Sequence, residues 1–261
     1  MKESKIFFTG GNGFLGKELI PLLKKFGYKV LSPSSKELNL LDTSSVDQFF
    51  QDNKFDIIIH SAICGGRRLK KDQSDVFYDN IRIFENIFRY SNSVDKFINF
   101  DSGASLINTG NVPDNPYGLS KYSIARSVKS INNGVNLRLY GCFGIYEKSD
   151  RFFSTNIKNY VERKPIIIFK DRLIDFVYAK DVSKILNHAL SSDIDDYECV
   201  YNQKYYLSDL SEMINRLSDY KVDIIIQDKE EDPPYCGTFK DIDINYIGLE
   251  KGIGDLYESF C

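Results

Sequence analysis

A tyrosine and a lysine stand four residues apart, as Tyr117 and Lys121. The hydrophobic pattern of residues 117–128 predicts a helix, and a spacing of four places both side chains on one face of it. An isolated tyrosine has a pKa of about 10 and transfers protons poorly at neutral pH, but a neighbouring ammonium favours its phenolate form. The pair can therefore perform acid–base chemistry, although the same spacing also occurs on ordinary helix surfaces.

A hydroxyl group is the third member that such a site needs. Two serines, Ser102 and Ser105, follow the predicted strand at residues 96–100. Either hydroxyl could hydrogen-bond a reacting oxygen beside the tyrosine, because the carboxyl ends of parallel strands form the binding edge of a sheet. We prefer Ser102, which lies nearer the strand end, and keep Ser105 as the alternative.

Three glycines, Gly10, Gly13 and Gly16, lie between the first predicted strand and the first predicted helix. The first allows a tight turn, the second lets the backbone approach a pyrophosphate, and the third allows close packing of helix on strand. The helix N-terminus, which follows Phe14 and Leu15 of the loop, would offer free N–H groups and the positive end of its dipole to phosphates. This context predicts a dinucleotide-binding loop.

The second predicted strand, residues 28–31, is followed by Ser32, Ser35 and Lys36, with no carboxylate at its tip. An acidic residue there would bind the ribose hydroxyls of NAD, whereas hydroxyls and a lysine suit the 2′-phosphate of NADP. These three residues therefore favour NADP. NAD stays open because Glu37 lies close by.

Short apolar runs alternate with helical patterns along residues 1–145. The alternation predicts an α/β fold with a doubly wound parallel sheet, the Rossmann fold, that binds NAD(P). Residues 146–261 are predicted to form mostly a small C-terminal substrate-binding lobe, with a segment of about 174–190 returning to the first domain. The predicted strands are 6–9, 28–31, 55–61, 96–100, 135–140, 166–169, 176–178 and 222–227. The predicted helices are about 16–26, 46–51, 76–90, 117–128, 152–161, 182–190 and 207–217.

Composition excludes several classes of partner. The net charge of −3 offers no basic surface for nucleic acid, and no apolar run approaches the roughly twenty residues of a membrane helix. Five scattered cysteines without a CxxC pair, and two histidines, predict free thiols and no metal site. The short N-terminal apolar run does not suit a signal peptide, so we expect a complete, cytoplasmic protein.

Several motifs together resemble the extended short-chain dehydrogenase/reductase family, especially its nucleotide-sugar epimerases, dehydratases and reductases. The resemblance covers nearly the whole chain. Its motifs are TGGNGFLG at 9–16, FDIIIHSA at 55–62, PYGLSK at 116–121, LRLYGCFG at 137–144 and IDFVYAKDV at 174–182. The segment KELNLLD at 36–42 is close to one of the GDP-fucose synthases.

The resemblance implies further cofactor-binding residues. Ala62 is expected to line the cofactor, and Asn39 and Leu40 to lie near the adenine. Asn80 matches the position of a family asparagine. By the same likeness, Lys121 would hold the nicotinamide ribose beside Tyr117.

Departures from the family pattern narrow the chemistry. Sugar 4,6-dehydratases carry an Asp-Glu pair directly after the catalytic serine or threonine, where this chain has Gly103 and Ala104, so we expect no dehydration. GDP-fucose synthases use a cysteine two residues after the serine, and a histidine, to epimerise C3 and C5. The cysteine position is Ala104 here, and neither histidine lies in the expected substrate segment, so that epimerisation is not expected.

The phosphate ligands of the substrate also differ from the family pattern. The arginine expected before Asp175 is Ile174, with Arg172 close by. We expect Arg172 and Arg151 to bind the substrate phosphates, although each could equally be a solvated arginine. Ser102 would contact the sugar itself.

The remaining chemistry is hydride transfer at one carbon. We expect NADP- or NAD-dependent reduction of the C4 keto group of a nucleotide-linked sugar. Tyr117 would protonate the developing alkoxide, Lys121 would lower the pKa of the tyrosine, and Ser102 would orient the carbonyl. The alternatives are a 4-epimerase with tightly bound NAD and a non-catalytic cofactor-binding sensor.

The family likeness suggests surface-polysaccharide precursor synthesis and a homodimer through the helices at about 76–90 and 117–130.

Overall fold

The computed structural model describes residues 4–66, 71–106, 112–230 and 232–261. The chain divides into two compact units, one of residues 1–138 with 185–197 and one of residues 139–184 with 198–261. The strands are β1 Lys5–Phe8, β2 Lys29–Leu31, β3 Ile57–His60, β4 Lys96–Ser102, β5 Gly134–Leu139, β6 Gly141–Phe143, β7 Ile166–Lys170, β8 Leu173–Ile174, β9 Phe176–Tyr178, β10 Tyr197–Glu198, β11 Tyr205–Tyr206 and β12 Ile224–Asp228. The helices are α1 Phe14–Lys25, α2 Thr43–Asp52, α3 Ser74–Phe88, α4 Pro116–Lys129, α5 Phe152–Val161, α6 Ala179–Ser191, α7 Leu207–Ile214 and α8 Leu249–Glu258.

The largest sheet has six strands in the order β10-β5-β4-β3-β1-β2. The pairs β1–β2, β1–β3 and β3–β4 are parallel. From β1 the chain adds β2 on one side and β3 on the other, so the order reverses between β1 and β3. Ligands of such sheets bind at this switch point, beyond the carboxyl ends of the strands. The predicted α/β Rossmann fold is confirmed.

An aromatic cluster fills one side of this sheet. The Phe7 ring lies 5.1 to 5.3 Å from the rings of Phe49, Phe50 and Phe55, and α3 adds Phe84 to the same core. Burying a phenylalanine side chain contributes about 1.5–3 kcal/mol, so α2 and α3 are held to the sheet mainly by such contacts.

The sheet also contains a fully buried polar residue, Asn136 on β5. Its Oδ1 accepts a hydrogen bond of 2.8 Å from Asn99 of β4, and its Nδ2 donates to the Ala125 carbonyl of α4 at 3.0 Å. The same Nδ2 donates to the Asp196 carboxylate at 3.0 Å. One side chain thus joins β4, β5, α4 and the segment before β10.

The second unit has its own core. Its three two-stranded sheets pair β6 with β9, β7 with β12 and β8 with β11. Phe143 stacks on Tyr178 at 5.4 Å and contacts Phe153 at 4.5 Å between ring centroids. The short strands β6, β8, β10 and β11, and the helix α8, are elements that the sequence patterns did not predict. The assignment of residues 146–261 to substrate binding stays a prediction.

Within the described residues, no helix is both long enough and apolar enough to cross a membrane. In the part of the chain that the structure describes, none of the five cysteines forms a disulfide.

Replacing Asn136 with alanine tests the polar joint in the sheet. Asn99 Nδ2 and the Ala125 carbonyl would lose their partner while buried, so the free energy of unfolding should fall by about 3 kcal/mol. Urea denaturation measures it, and Asn132→Ala, an exposed asparagine, serves as the control with a change within about 0.5 kcal/mol. Equal stability of the two variants would contradict the structural role of Asn136.

Candidate active site

The glycine loop after β1 lies against the loop after β3. Gly10 has a φ of +75°, and a Cβ added there would stand 3.0 Å from the backbone N and Cα of Ala62. A Cβ on Gly16 would stand 2.4 Å from the Cα of Gly11. Side chains at either glycine would separate segments that touch here, so the loop is held at the switch point of the sheet by close backbone contact.

The loop leads directly into the N-terminus of α1. Gly13 is the residue that precedes the helix, no side chain caps it, and the first turn carries no acidic residue. The first N–H groups of the helix, among them those of Phe14 and Leu15, therefore have no intrahelical acceptor. A pyrophosphate fits this arrangement, because it needs N–H donors, a positive dipole end and no side chain in its way.

The tip of β2 has exposed polar side chains beside a carboxylate that already accepts hydrogen bonds. Ser35 and Lys36 are exposed, whereas the Ser32 hydroxyl donates to the Phe8 carbonyl at 2.6 Å. The Glu37 carboxylate accepts from the Ser34 N–H at 2.7 Å and from its hydroxyl at 2.8 Å, and these bonds lower the pKa of Glu37. The Glu37 carboxylate is therefore engaged within the turn.

The residues expected near the adenine lie in the following turn. Asn39 is exposed, and its Oδ1 accepts from the Leu41 N–H at 3.1 Å. Leu40 packs partly against the aromatic core, and its carbonyl accepts from Asn86 of α3. Contact of Asn39 and Leu40 with an adenine stays a prediction.

Asn80 of α3 is fully buried and connects two segments of the site. Its side chain accepts from the Cys64 N–H at 2.7 Å and donates to the Cys64 carbonyl at 3.1 Å and the Ser120 hydroxyl at 3.0 Å. The structure thus places this residue as a tie between the loop after β3 and helix α4.

Helix α4 carries the tyrosine–lysine pair. Asn115 caps its N-terminus through a 2.7 Å hydrogen bond from the Gly118 N–H, and Pro116 occupies the first turn, where its missing N–H is not needed. Lys121 is buried, with 4% of its surface exposed, and its ammonium donates to the Phe100 carbonyl at 2.5 Å. The cation is therefore fixed at the end of β4.

The Tyr117 ring lies against a glycine turn. Gly65 and Gly66, in the loop after β3, have φ angles of +79° and +66°, and the Asp72 carboxylate accepts from the Gly66 N–H at 2.9 Å. A Cβ on Gly66 would stand 2.9 Å from Cε2 and Cζ of Tyr117. The absence of a side chain at Gly66 therefore allows the ring its position.

The two candidate serines differ in their bonding. Ser105 is buried, and its hydroxyl donates to the Asp101 carboxylate at 2.8 Å. Ser102 ends β4 only partly buried, and its Oγ accepts from the Ala104 N–H at 3.2 Å. The Ser105 proton is committed to Asp101, which favours Ser102 as the hydroxyl that contacts a substrate.

Burial changes the ionisation of Lys121. Loss of solvation lowers the pKa of Lys121 to about 8, while the negative charge of Asp101 acts in the opposite direction. Below about pH 8 the lysine is an ammonium and can stabilise a nearby phenolate by charge.

The residues predicted to bind substrate phosphates lie in the second unit. Arg151 directly precedes α5 and interacts by charge with Glu147, whose pKa burial raises to about 8. Arg172 stands 5.0 Å from the centre of the Tyr235 ring, and its Nε is buried without a hydrogen-bond partner among the described residues. Phosphate binding by Arg151 and Arg172 stays a prediction. Within the described residues, no cluster of histidine, cysteine or carboxylate side chains is arranged to hold a metal ion.

Three residues at this site were not predicted from the sequence. They are Gly66, Asp101 and Arg138, of which the last two form an ion pair of 2.7 Å. A carboxylate inside the apolar run of β4, and the adjacent glycines 65 and 66, were the available signals. Neither signal indicates a function until the residues that contact Asp101 and Gly66 are known, and those residues are distant in sequence.

The variant Gly66→Ala tests the contact with Tyr117. The added methyl group should displace the ring and lower turnover by about 10- to 100-fold, because small misplacements of reacting groups are costly. Gly27→Ala is the matched control, since Gly27 has a φ of +94° and no heavy atom within 4 Å of the added Cβ. Steady-state kinetics of both variants give the answer, and similar turnover in the two would refute the positioning role.

Comparison with known proteins places this geometry in a family. GDP-L-colitose synthase from Yersinia pseudotuberculosis is 24% identical over 255 residues, which cover 83% of each chain. A solved GDP-mannoheptose C4 reductase from Campylobacter jejuni with NADP bound superposes with a TM-score of 0.82 at 19% identity, over 100% of this chain and 99% of the other. A UDP-glucose 4-epimerase from Thermotoga maritima gives 0.76 at 18% identity, over 98% of both chains.

The structural likeness thus includes a reductase and an epimerase, and it identifies the fold rather than the reaction. The sequence adds a family match, since the model described as "NAD dependent epimerase/dehydratase family" matches residues 6–202. The relationship inferred from the motifs is confirmed, and with it dependence on a nicotinamide cofactor. The chain belongs to the NAD dependent epimerase/dehydratase family.

Proposed function

We propose that this protein reduces the C4 keto group of a nucleotide-linked sugar with NADPH, in the synthesis of surface-polysaccharide precursors. The observation that carries the proposal is the Lys121 ammonium, buried at the Phe100 carbonyl and one helical turn from Tyr117. A buried cation of this kind is costly unless it serves a partner, and a phenol that must transfer a proton is such a partner.

Each side chain has a separate task. When bound, the reduced nicotinamide supplies the hydride for the carbonyl carbon. Tyr117 donates its proton to the oxygen as negative charge develops there, and Lys121 stabilises the phenolate that remains. Ser102, at the end of β4, donates a hydrogen bond that orients the carbonyl oxygen.

Reduction at C4, as opposed to dehydration or epimerisation, is supported by the names of the relatives and by the residues after Ser102. The names of the related proteins include a GDP-colitose synthase and a GDP-mannoheptose C4 reductase. Gly103 and Ala104 provide no acid or base for dehydration or for epimerisation at C3 and C5. Reduction at C4 needs only the groups that the site contains.

A turnover assay with NADPH, and separately NADH, tests the proposal. The panel comprises GDP-, dTDP-, CDP- and UDP-linked 4-keto-6-deoxy sugars, and the readout is loss of reduced nicotinamide. Stoichiometric oxidation with one sugar supports the reductase and identifies the nucleotide. Interconversion of 4-hydroxy nucleotide sugars with retained NAD would instead indicate a 4-epimerase, and inactivity throughout would favour a cofactor-binding sensor.

Tyr117→Phe should lower turnover by at least about 100-fold, because it removes the proton that the alkoxide receives. The affinity for NADPH, measured by fluorescence titration, should change by no more than a factor of about three, which corresponds to less than 1 kcal/mol. Tyr122→Phe, on the same helix, is the matched control and should retain turnover. Full activity of Tyr117→Phe would remove the tyrosine from the mechanism.

The preference for NADP rests on the tip of β2, where Lys36 is exposed and Glu37 is bound to Ser34. Lys36→Ala should lower kcat/KM for NADPH about tenfold and change that for NADH little, because a charged hydrogen bond to the 2′-phosphate is worth about 1.5–3 kcal/mol. Lys25→Ala, an exposed lysine at the end of α1, is the control. An equal effect on both cofactors would argue against this subsite.

A cytoplasmic location and a homodimer through α3 and α4 belong to the same proposal. Tyr78 of α3 supports the second, because 69% of this large aromatic side chain is exposed. Light scattering of the purified protein distinguishes a dimer from a monomer.

A further inference from the structure

A buried carboxylate lies directly before Ser102. Asp101 of β4 is 2% exposed, and its Oδ2 accepts from Arg138 Nε at 2.7 Å and from the Ser105 hydroxyl at 2.8 Å. The other oxygen, Oδ1, is buried without a hydrogen-bond partner among the described residues. Two side-chain donors, Arg138 and Ser105, therefore fix one oxygen of the carboxylate.

This carboxylate belongs to a polar face of the sheet beneath α4. Side chains alternate along a strand, so Asp101 and Asn99 share one face of β4, and His60 of β3 pairs in register with Asn99. Arg138 extends the face onto β5. Buried polar residues are uncommon in a sheet core, and here they surround the end of the strand that holds the Lys121 ammonium.

The charges that face Lys121 can be assigned element by element. His60 of β3 is fully buried, and loss of solvation lowers its pKa to about 3, so it is neutral at physiological pH. Tyr117, on α4 itself, is an uncharged phenol before proton transfer. Burial raises the pKa of Asp101, and the positive charges of Arg138 on β5 and of Lys121 itself oppose that rise and favour the carboxylate. The charge acting on Lys121 is that of the Asp101 carboxylate.

Burial disfavours the ammonium form of a lysine, and a nearby carboxylate favours it. For Lys121, burial has the larger effect and lowers the pKa, and the Asp101 carboxylate limits that decrease. Without the carboxylate, the lysine would release its proton at a lower pH, and a smaller fraction of it would be an ammonium able to stabilise a phenolate at neutral pH.

We propose that Asp101 is a positioning residue that keeps the Lys121 side chain in its ammonium form, and that Arg138 and Ser105 hold the carboxylate in place for this purpose. The effect of Asp101 on the ionisation of Lys121 does not depend on the proposed function. Its consequence for turnover rests on the proposed function.

The direct test is the titration of Lys121, followed by NMR of protein with ¹³C-labelled lysine side chains and assigned with Lys121→Arg. In the wild type, Lys121 should titrate near pH 8. In Asp101→Asn the titration should move down by about one pH unit or more, as expected on loss of an adjacent opposite charge. Ser105→Ala is the matched control, because it removes a neutral donor from the same oxygen and keeps the charge, and its titration should move much less.

An unchanged Lys121 titration in Asp101→Asn would overturn the proposal. That variant leaves Arg138 buried without its anion and could lose its fold. The pair Arg138→Gln and Asp101→Asn/Arg138→Gln avoids this problem, and the double variant should titrate lower than the single one. Equal titrations in that pair would equally overturn the proposal.

Kinetics separate this inference from the proposed function. The alkaline limb of kcat/KM, measured with the nucleotide sugar that is turned over, should move down in Asp101→Asn by the same amount as the NMR titration. If the Lys121 titration moves and the alkaline limb of kcat/KM does not, the result would support the role of Asp101 and refute that of Lys121 in catalysis. An unmoved titration would refute the role of Asp101, whatever Tyr117→Phe shows.

Discussion

The hydrogen bond from the Lys121 ammonium to the Phe100 carbonyl is the constraint on which the site depends. An ammonium without solvent needs acceptors, and this one obtains a backbone oxygen at the end of β4. The bond fixes α4 over the strand that carries Ser102, so the tyrosine, the lysine and the serine are brought to one edge of the sheet. The cap at Asn115 starts the helix that carries the tyrosine and the lysine.

Close backbone contacts then bring the glycine loop and the tyrosine to the same edge. Gly10 touches Ala62, and Gly66 touches the ring of Tyr117, so the loop after β3 contacts both. Asn80 ties this loop to α4 through Cys64 and Ser120. The functional groups are thus supported by glycines and by buried amides, whose replacement would alter geometry without removing any reacting atom.

The sequence predicted the parts of this site that depend on local patterns. The glycine loop, the strand predicted at 55–61 and found as β3, and the pair four apart on α4 each consist of residues close together in sequence, where periodicity and spacing determine structure. The Asp101–Arg138 pair joins residues that are 37 apart in sequence, and its geometry follows only from the pairing of β4 with β5. The short strands β6 and β8 form because they pair with β9 and β11, and isolated segments of two or three residues carry no such signal.

Transfer of deuterium tests the central claim most directly. Reduced NADP labelled with deuterium at nicotinamide C4, on the face that reacts, would be incubated with the 4-keto nucleotide sugar, and the product analysed by mass spectrometry and NMR. A C4 reductase places the deuterium on C4 of the product sugar and releases oxidised NADP in equal amount. A product without deuterium at C4, or interconversion of sugars without net oxidation of the cofactor, would contradict the account.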